Sequence, residues 1–384
     1  MSGLRPSFAR RRRCRGEEGA VQVLFGLLVA CGMLLAMFAV VVDGGRIYIE
    51  HSELRGGADA AATAVARSCA EGACDVSTGA DGVARRLAVG NARDGAAAVA
   101  RICGRGPGLA PCPASGGERL TSCSGPPPAT GVYVEVVTET RLPDGTTVLP
   151  PVVAGSVFGT YDGTRVTACA RATWGGARQV DEVYPFMISE CAWERATANG
   201  KEYTEPPSPT WDPPDSEEDV IFGRSTDCDH PPSIEGDFAV LPGSSWDCSV
   251  PMATGERLIA VPGHKLLSGL LALACQLGSI VDFIPRALPG SRILPEVVHV
   301  PIYDDDVEVI DGPIKQYRYT VLGFAAFEPT ALSFLWLPLP SWRTLLNCVL
   351  RWPCMRGFFT RQAHTGPIVP GQANYGVSAV RLSG

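Results

Sequence analysis

Residues 20–42 (AVQVLFGLLVACGMLLAMFAVVV) run for 23 positions without a charge, and Gln22 is the one strongly polar side chain among them. Few folds accept such a run. At about 1.5 Å of rise per residue, a helix of this length crosses a hydrocarbon core roughly 30 Å thick. It also satisfies its backbone polar groups internally, as lipid demands. Arg5, Arg10, Arg11, Arg12, Arg13 and Arg15 precede the run, opposed by Glu17 and Glu18. Basic residues stay on the cytoplasmic side, so the expected protein is single-pass, with its N-terminus cytoplasmic and the bulk of the chain extracytoplasmic. A cleaved secretory signal also starts basic, but its apolar part is usually about 7–15 residues long and ends at a small-residue site. Here the run ends Val40-Val41-Val42-Asp43-Gly44, which favours an uncleaved signal-anchor. A buried core helix leaves the arginine cluster unexplained.

Helical periodicity continues past the run. Ile47, Leu54, Ala58, Ala61 and Val65 recur on one helix face. Arg46 and Glu50 are spaced to pair at i,i+4, and Tyr48 stands where an interfacial aromatic anchors a span. Ala58, Ala62 and Ala66 form a small-residue ladder that admits a second helix, expected to belong to a partner. Gly44-Gly45 and Gly56-Gly57 weaken a rod, so bends are expected at both pairs.

These residues form an ordered set. Gly19-Ala20-Val21 enters the span, Asp43-Gly44 with Arg46-Ile47-Tyr48 leaves it, and Glu53-Leu54 precedes Ala58-Asp59-Ala60-Ala61-Ala62. In this set, residues 16–66 resemble the N-terminal segment shared by TadE- and TadG-like proteins of the tight-adherence (Flp pilus) machinery. Tyr184-Pro185-Phe186 with Ile188-Ser189-Glu190-Cys191, and Tyr319 leading to Gly323-Phe324-Ala325-Ala326-Phe327, look like the exported part of actinobacterial TadG-like proteins. The resemblance implies a non-catalytic component of a pilus-assembly or secretion system, with no cofactor. Its implied partners are membrane lipid and other pilus-assembly or pseudopilin-like proteins. The helix-packing residues it points to are Asp43, Gly44, Arg46, Tyr48, Leu54, Ala58, Asp59, Ala62 and Ala66. TadE-like pseudopilins are cut after a glycine ahead of the span and carry a glutamate just inside it. Aligned on Gly19-Ala20-Val21, that position holds Leu24. The missing carboxylate implies a fixed membrane component whose basic N-terminal segment is retained.

Charge and cysteine usage agree with export. The net charge of −7 divides unevenly: residues 1–19 carry six Arg against two Glu, a balance of +4, leaving −11 for the rest. An acidic exterior disfavours nucleic acid, and topology with anionic lipid explains the basic start. Of fourteen cysteines, Cys14 lies before the span and Cys31 within it. Twelve remain: Cys69, Cys74, Cys103, Cys112, Cys123, Cys169, Cys191, Cys228, Cys248, Cys275, Cys348 and Cys354. An even number beyond an anchor reads as a disulfide framework of six bonds, with Cys69 to Cys74 and Cys348 to Cys354 as local clips. There is no C-x-x-C for zinc.

The expected fold is an N-terminal transmembrane helix extended by juxtamembrane helices, then a disulfide-rich α+β extracytoplasmic region. The expected sections are a basic cytoplasmic tail (1–19), the span (20–42), a juxtamembrane helical segment (43–105) and a Pro/Gly/Cys linker (106–130). A first α+β section (131–198), a Pro-rich acidic insertion (199–236) and a second exterior section (237–384) follow. Within 67–105, Val83 and Leu87 together with residues 97–102 read as one or two short helices. The alternating Val132, Val134 and Val136, the stretch 165–174, and the stretches 297–302 and 317–327 read as strands. Residues 266–281 are apolar but short for a second crossing, so a buried helix is expected. Phe334-Leu335-Trp336-Leu337 and Trp342 read as core.

Catalytic patterns are absent from the sequence: there is no G-x-S-x-G elbow, H-E-x-x-H helix or phosphate-cradling loop. Asp75-Val76-Ser77-Thr78-Gly79 lacks the last serine of a D-x-S-x-S metal site. Asp304-Asp305-Asp306 with Glu308 reads as a solvated acidic turn before it reads as a calcium loop. The alternative functions are a membrane-anchored surface adhesion or binding protein outside any pilus system, and then a tethered hydrolase. The arginine asymmetry predicts that a reporter fused after Gly384 is active only outside the cytoplasm; activity inside overturns the topology and the oxidised cysteines together.

Overall fold

The computed structural model describes residues 16–113, 123, 125–184, 186–203, 219–222, 228, 238–241, 250–262, 297–310, 316–333, 354–369 and 371–383. The first part of the chain supplies helices α1 (Gly16–Ala70) and α2 (Val83–Asn91), then strands β1 (Ala97–Arg105) and β2 (Val132–Thr140). A short ribbon of β3 (Val148–Leu149) and β4 (Thr164–Arg165) brackets the small helix α3 (Ala154–Phe158). Next come β5 (Thr167–Gly176), β6 (Gln179–Val183), β7 (Phe186–Ser189) and helix α4 (Glu190–Thr197). The remaining strands are β8 (Asp219–Phe222), β9 (Phe238–Val240), β10 (Val250–Ala253), β11 (Arg257–Pro262), β12 (Val298–Tyr303) and β13 (Glu308–Ile310). The last four are β14 (Gln316–Ser333), β15 (Cys354–Thr360), β16 (Gln362–Thr365) and β17 (Val377–Leu382).

Helix α1 is 55 residues, about 80 Å at helical rise, far more than a bilayer needs. It stays helical through Gly44-Gly45 and Gly56-Gly57, the two pairs at which bends were expected, and neither pair ends it. At the second pair the reason is packing. A Cβ on Gly57 would stand 3.1 Å from the Ala88 backbone of α2, so glycine here sets how near the two helices lie. Over residues 21–41 the helix is bare except at Ala36 and Ala39, with Phe25 69% and Leu34 65% exposed. Among the described residues it is the one helix long and apolar enough to cross a membrane, and it fits a membrane anchor.

The second half of α1 is built into the protein. It packs with α2 against a five-stranded sheet of order β1-β2-β5-β17-β16, antiparallel except for the β17–β16 pair. On β2 the side-chain period of two points Val134, Val136, Thr138 and Thr140 at the helix. The face of α1 that meets them is Leu54, Ala58, Ala61, Ala62, Val65 and Ala66, all buried. The ladder is thus covered by the chain's own sheet and α2, and not by a partner helix. Residues 97–105 form β1 where a helix was expected, because pairing with β2 buries Ala97, Ala98 and Val99.

The outer face of this sheet carries the stretch read as a linker, 106–130. Its described residues form a strap held to the sheet. Cys103–Cys112 and Cys123–Cys169 staple it. Arg105 donates to the carbonyls of Pro128, Ala129 and Gly131. Arg171, buried, donates to Pro126 and Gly125 while pairing with Glu135 at 2.6 Å. The Tyr133 ring lies between the two guanidinium groups.

In the second sheet, β11 pairs with β14 as well as β9, so β11-β9-β7-β12-β14 close into a five-stranded ring. β15 and β8 extend it from β14. Alternation on these strands makes two buried clusters. Phe186, Ile188, Val300 and Phe327 lie with Trp193 of α4 on one face, and Met187, Phe324, Tyr303 and Tyr319 on the other. Tyr375 lies over Gly323, where a Cβ would meet the ring at 2.5 Å. Ser189 caps α4 by accepting from the Ala192 N–H.

The sections read from the sequence cut across this architecture. β16 and β17 return to complete the first sheet, and β8 is a strand inside the stretch read as a Pro-rich insertion. Strands expected at 297–302 and 317–327 are present as β12 and β14. Residues 266–281, 334–337 and Trp342 lie outside the described residues. Cys69–Cys74 and Cys191–Cys228 are bonded, with the two staples above, and Cys31 is a free thiol on the bare helix. Cys248, Cys275, Cys348 and the side chain of Cys354 lie outside the described residues, so their pairing stays an expectation.

Two outcomes follow from this packing. Ala62→Leu overfills a closed helix–sheet interface and should destabilise the exterior by about 1–3 kcal/mol, read as a lower melting temperature; an unchanged melt would mean the face is open. Removing Cys123–Cys169 (separation 46) should cost about 4 kcal/mol against about 2 for Cys69–Cys74 (separation 5) by loop-closure entropy. Denaturant melts of the two double-alanine variants measure the difference, and equal losses refute it.

Candidate functional site at the anchor–exterior junction

The residues singled out by sequence converge where α1 leaves its bare stretch. Asp43 is the first charge after the apolar run, a place where an unpartnered carboxylate is costly. It is buried, and its oxygens accept the N–H groups of Val152 (2.7 Å), Val153 (3.1 Å) and Ala154 (2.6 Å). Those amides open α3, so the side chain of one helix caps another. The Ala154 bond first, then that from Val152, holds the Asp43 carboxyl below its ordinary pKa.

One turn on, the expected Arg46–Glu50 pair is replaced by two longer-range bonds. Arg46 donates to the Pro150 carbonyl at 3.2 Å, and Glu50 accepts from Thr140 Oγ1 at 2.7 Å. Both residues find partners on segments that the i,i+4 rule cannot see. Burial pushes the Glu50 carboxyl above its ordinary value, with Asp94 and Glu53 adding to it against the Thr140 bond. Glu53 takes Arg93 through both its backbone N–H (3.0 Å) and its side chain (2.5 Å). Thr138 Oγ1 donates to the Leu54 carbonyl at 2.9 Å.

Of the remaining singled-out residues, Leu54, Ala58, Ala62 and Ala66 are core, as described above. Asp59 is half-buried, and burial raises its pKa. Gly44 is exposed with open space beside it, and Tyr48 is 75% exposed. Sequence reasoning named Gly57 and Glu53 without their roles, and did not single out Thr138, Thr140 or α3. The available signals were a carboxylate ending an apolar run and two threonines in phase with β2 valines.

Among the described residues, the other acidic stretches singled out from the sequence make structural contacts. Asp75 accepts from the Ser77 and Val83 N–H groups, so the stretch compared with a metal motif caps α2. Asp304 accepts from the Asp306 N–H, and Glu308 pairs with Arg318. Glu135 lies near Cys103 and Cys112, and near Cys123 and Cys169, but all four sulfurs are in disulfides and offer no thiolate. An open cavity lined by Arg178, Thr254, Thr320, Ile368 and Gln372 holds no acid–base pair among the described residues.

The two junction carboxylates should respond to pH with opposite signs. The folded pKa of Asp43 lies below its unfolded value, so its stabilisation is present above the ordinary aspartate range and is lost as pH falls through the folded value. For Glu50 the folded pKa is the higher one, so its contribution is present below the ordinary glutamate range and is lost as pH rises through the folded value. In melts of the full chain in detergent, Asp43→Asn should lower the neutral-pH melting temperature, and Glu50→Gln, which still accepts from Thr140, should raise it. Shifts of the same sign would refute the assignment.

Comparison with known proteins bears on this junction. The Tad family model, for TadE/G-like proteins of Flp pilus assembly, matches residues 19–68. No curated protein and no solved structure matches the chain. The matched segment is α1 almost in its entirety: the bare stretch, the Asp43 cap and the face packed on the sheet. Over residues 19–68, then, the chain is similar to the TadE/G-like segment of Flp pilus-assembly proteins.

Proposed function

We propose that this protein is a non-catalytic, membrane-anchored component of a tight-adherence (Flp, type IV-like) pilus assembly or secretion system. The observation that carries the reading is the division of one uninterrupted helix. Its bare apolar half has the length of a span, and its other half is core to the exterior. Such a helix couples the exterior rigidly to the bilayer, which suits a fixed platform at a pilus base. At the junction Asp43 serves as a helix cap and Glu53 as an ion-pair partner, in keeping with a structural role.

Membrane lipid and other pilus-assembly or pseudopilin-like proteins are the proposed partners. With the alanine ladder occupied, the exposed α1 face bearing Gly44, Tyr48 and Arg55 is left to meet them. The N-terminal basic segment is retained in this reading, because Leu24 stands where a registering glutamate would be needed. Two measurements test the proposal. Affinity capture of the tagged chain from membranes should recover pilus-assembly proteins. Mass spectrometry of its N-terminal peptide should find Arg5 to Arg15 present. A chain beginning at Glu17 or Ala20 would make it a processed pilin-like subunit, and capture without pilus components would favour an adhesion module.

A further inference from the structure

Residues 145–161 (GTTVLPPVVAGSVFGTY) contain no charge, and they run down α1 toward its bare half. Three contacts set the direction. Arg46 donates to the Pro150 carbonyl, and Asp43, nearly one turn lower, accepts from Val152, Val153 and Ala154. α3 follows and packs on α1. One further turn down, Ala39 is fully buried while Val40 and Val41 are 67% and 71% exposed. The chain therefore reaches back beside the last turn of the apolar run. At its leading edge Val152 is 57% exposed, the most exposed large apolar side chain outside α1 among the described residues.

We propose that residues 148–158 form a foot that rests in the interfacial layer of the bilayer crossed by α1, with Val152 against lipid. This rests on the reading of residues 20–42 as a span. The occupant is lipid because α3 lies level with the end of the apolar run, and a charge-free surface at that depth meets acyl chains and headgroups first. The backbone is prepared for a place poor in water. The N–H groups of Val152, Val153 and Ala154 go to Asp43, Ser156 donates to Val153, and Gly159 donates to Gly155. Irregular backbone at membrane depth is tolerated only when its polar groups are satisfied by protein. Asp43 supplies that satisfaction while its own charge is fully bonded. Tyr48, a turn above and exposed, takes the headgroup position usual for tyrosine.

The test is tryptophan quenching in the reconstituted full chain. Val152→Trp, Val41→Trp and Val309→Trp are placed in phosphatidylcholine vesicles whose acyl chains carry bromine near the glycerol, with the unsubstituted chain as baseline. Val152 and Val309 are both exposed, so the substitutions leave the core intact. Quenching above baseline is expected at 41 and at 152, with the 152 signal at least about half that at 41, and none at 309. Quenching at 41 without quenching at 152 overturns the foot and leaves the span standing; the surface would then face water or a protein. Loss of quenching at 41 overturns the span and the foot together.

Discussion

Everything outside the bare helix depends on how near α1 can come to the sheet. Leu54 and the alanines at 58, 61, 62 and 66 present a shallow face, and Gly57 admits the α2 backbone at contact distance. Dispersion energy falls steeply with separation, so small residues gain by bringing whole backbones together what they lack in side-chain area. The same composition that lets helices meet in lipid lets this helix meet a sheet in water. Small residues specify closeness; they do not specify the neighbour.

That closeness gives the helix two environments along one axis. Below Asp43 nearly all its side chains stand in the open, Ala39 being buried; above it one face is core while Gly44, Tyr48 and Arg55 stay exposed. The boundary is marked by a carboxylate whose oxygens receive three amides of another segment, so the transition is a bonded joint. Glu50, Glu53 and Thr138 repeat the device at successive turns, tying side chain to sheet or loop. A 55-residue helix held this way cannot pivot freely against the sheet. The proposed interfacial foot continues the series one turn lower.

Much of the outline was legible in the sequence. The apolar run, the arginines before it and the recurring Ile47, Leu54, Ala58 and Val65 specify a helix that continues past a stretch of spanning length, because charge and 3.6-residue periodicity are local properties. The valine alternation at 132–136 and the Cys69–Cys74 clip were equally local. The errors share one cause, which is that the partner lies far away in sequence. Arg46 and Glu50 satisfy the spacing for a pair, yet Pro150 and Thr140 take them. Residues 106–130 look too rich in proline and glycine to pack, yet Arg171 and two disulfides lay their described part on the sheet.

By itself the sequence determined an apolar helix of spanning length, its arginine-marked end, a cysteine-rich region beyond it and a TadE/G-like N-terminal pattern. These follow from composition and near-neighbour spacing. Tertiary structure alone decided that the alanine ladder is internal, that residues 97–105 pair as a strand and that β17 closes the sheet begun by β1. It also decided that Asp43 caps a helix more than a hundred residues away. Local propensity is nearly neutral on such matters. They are settled by which distant surface can bury a given face and satisfy its hydrogen bonds, and that surface exists only once the chain has folded.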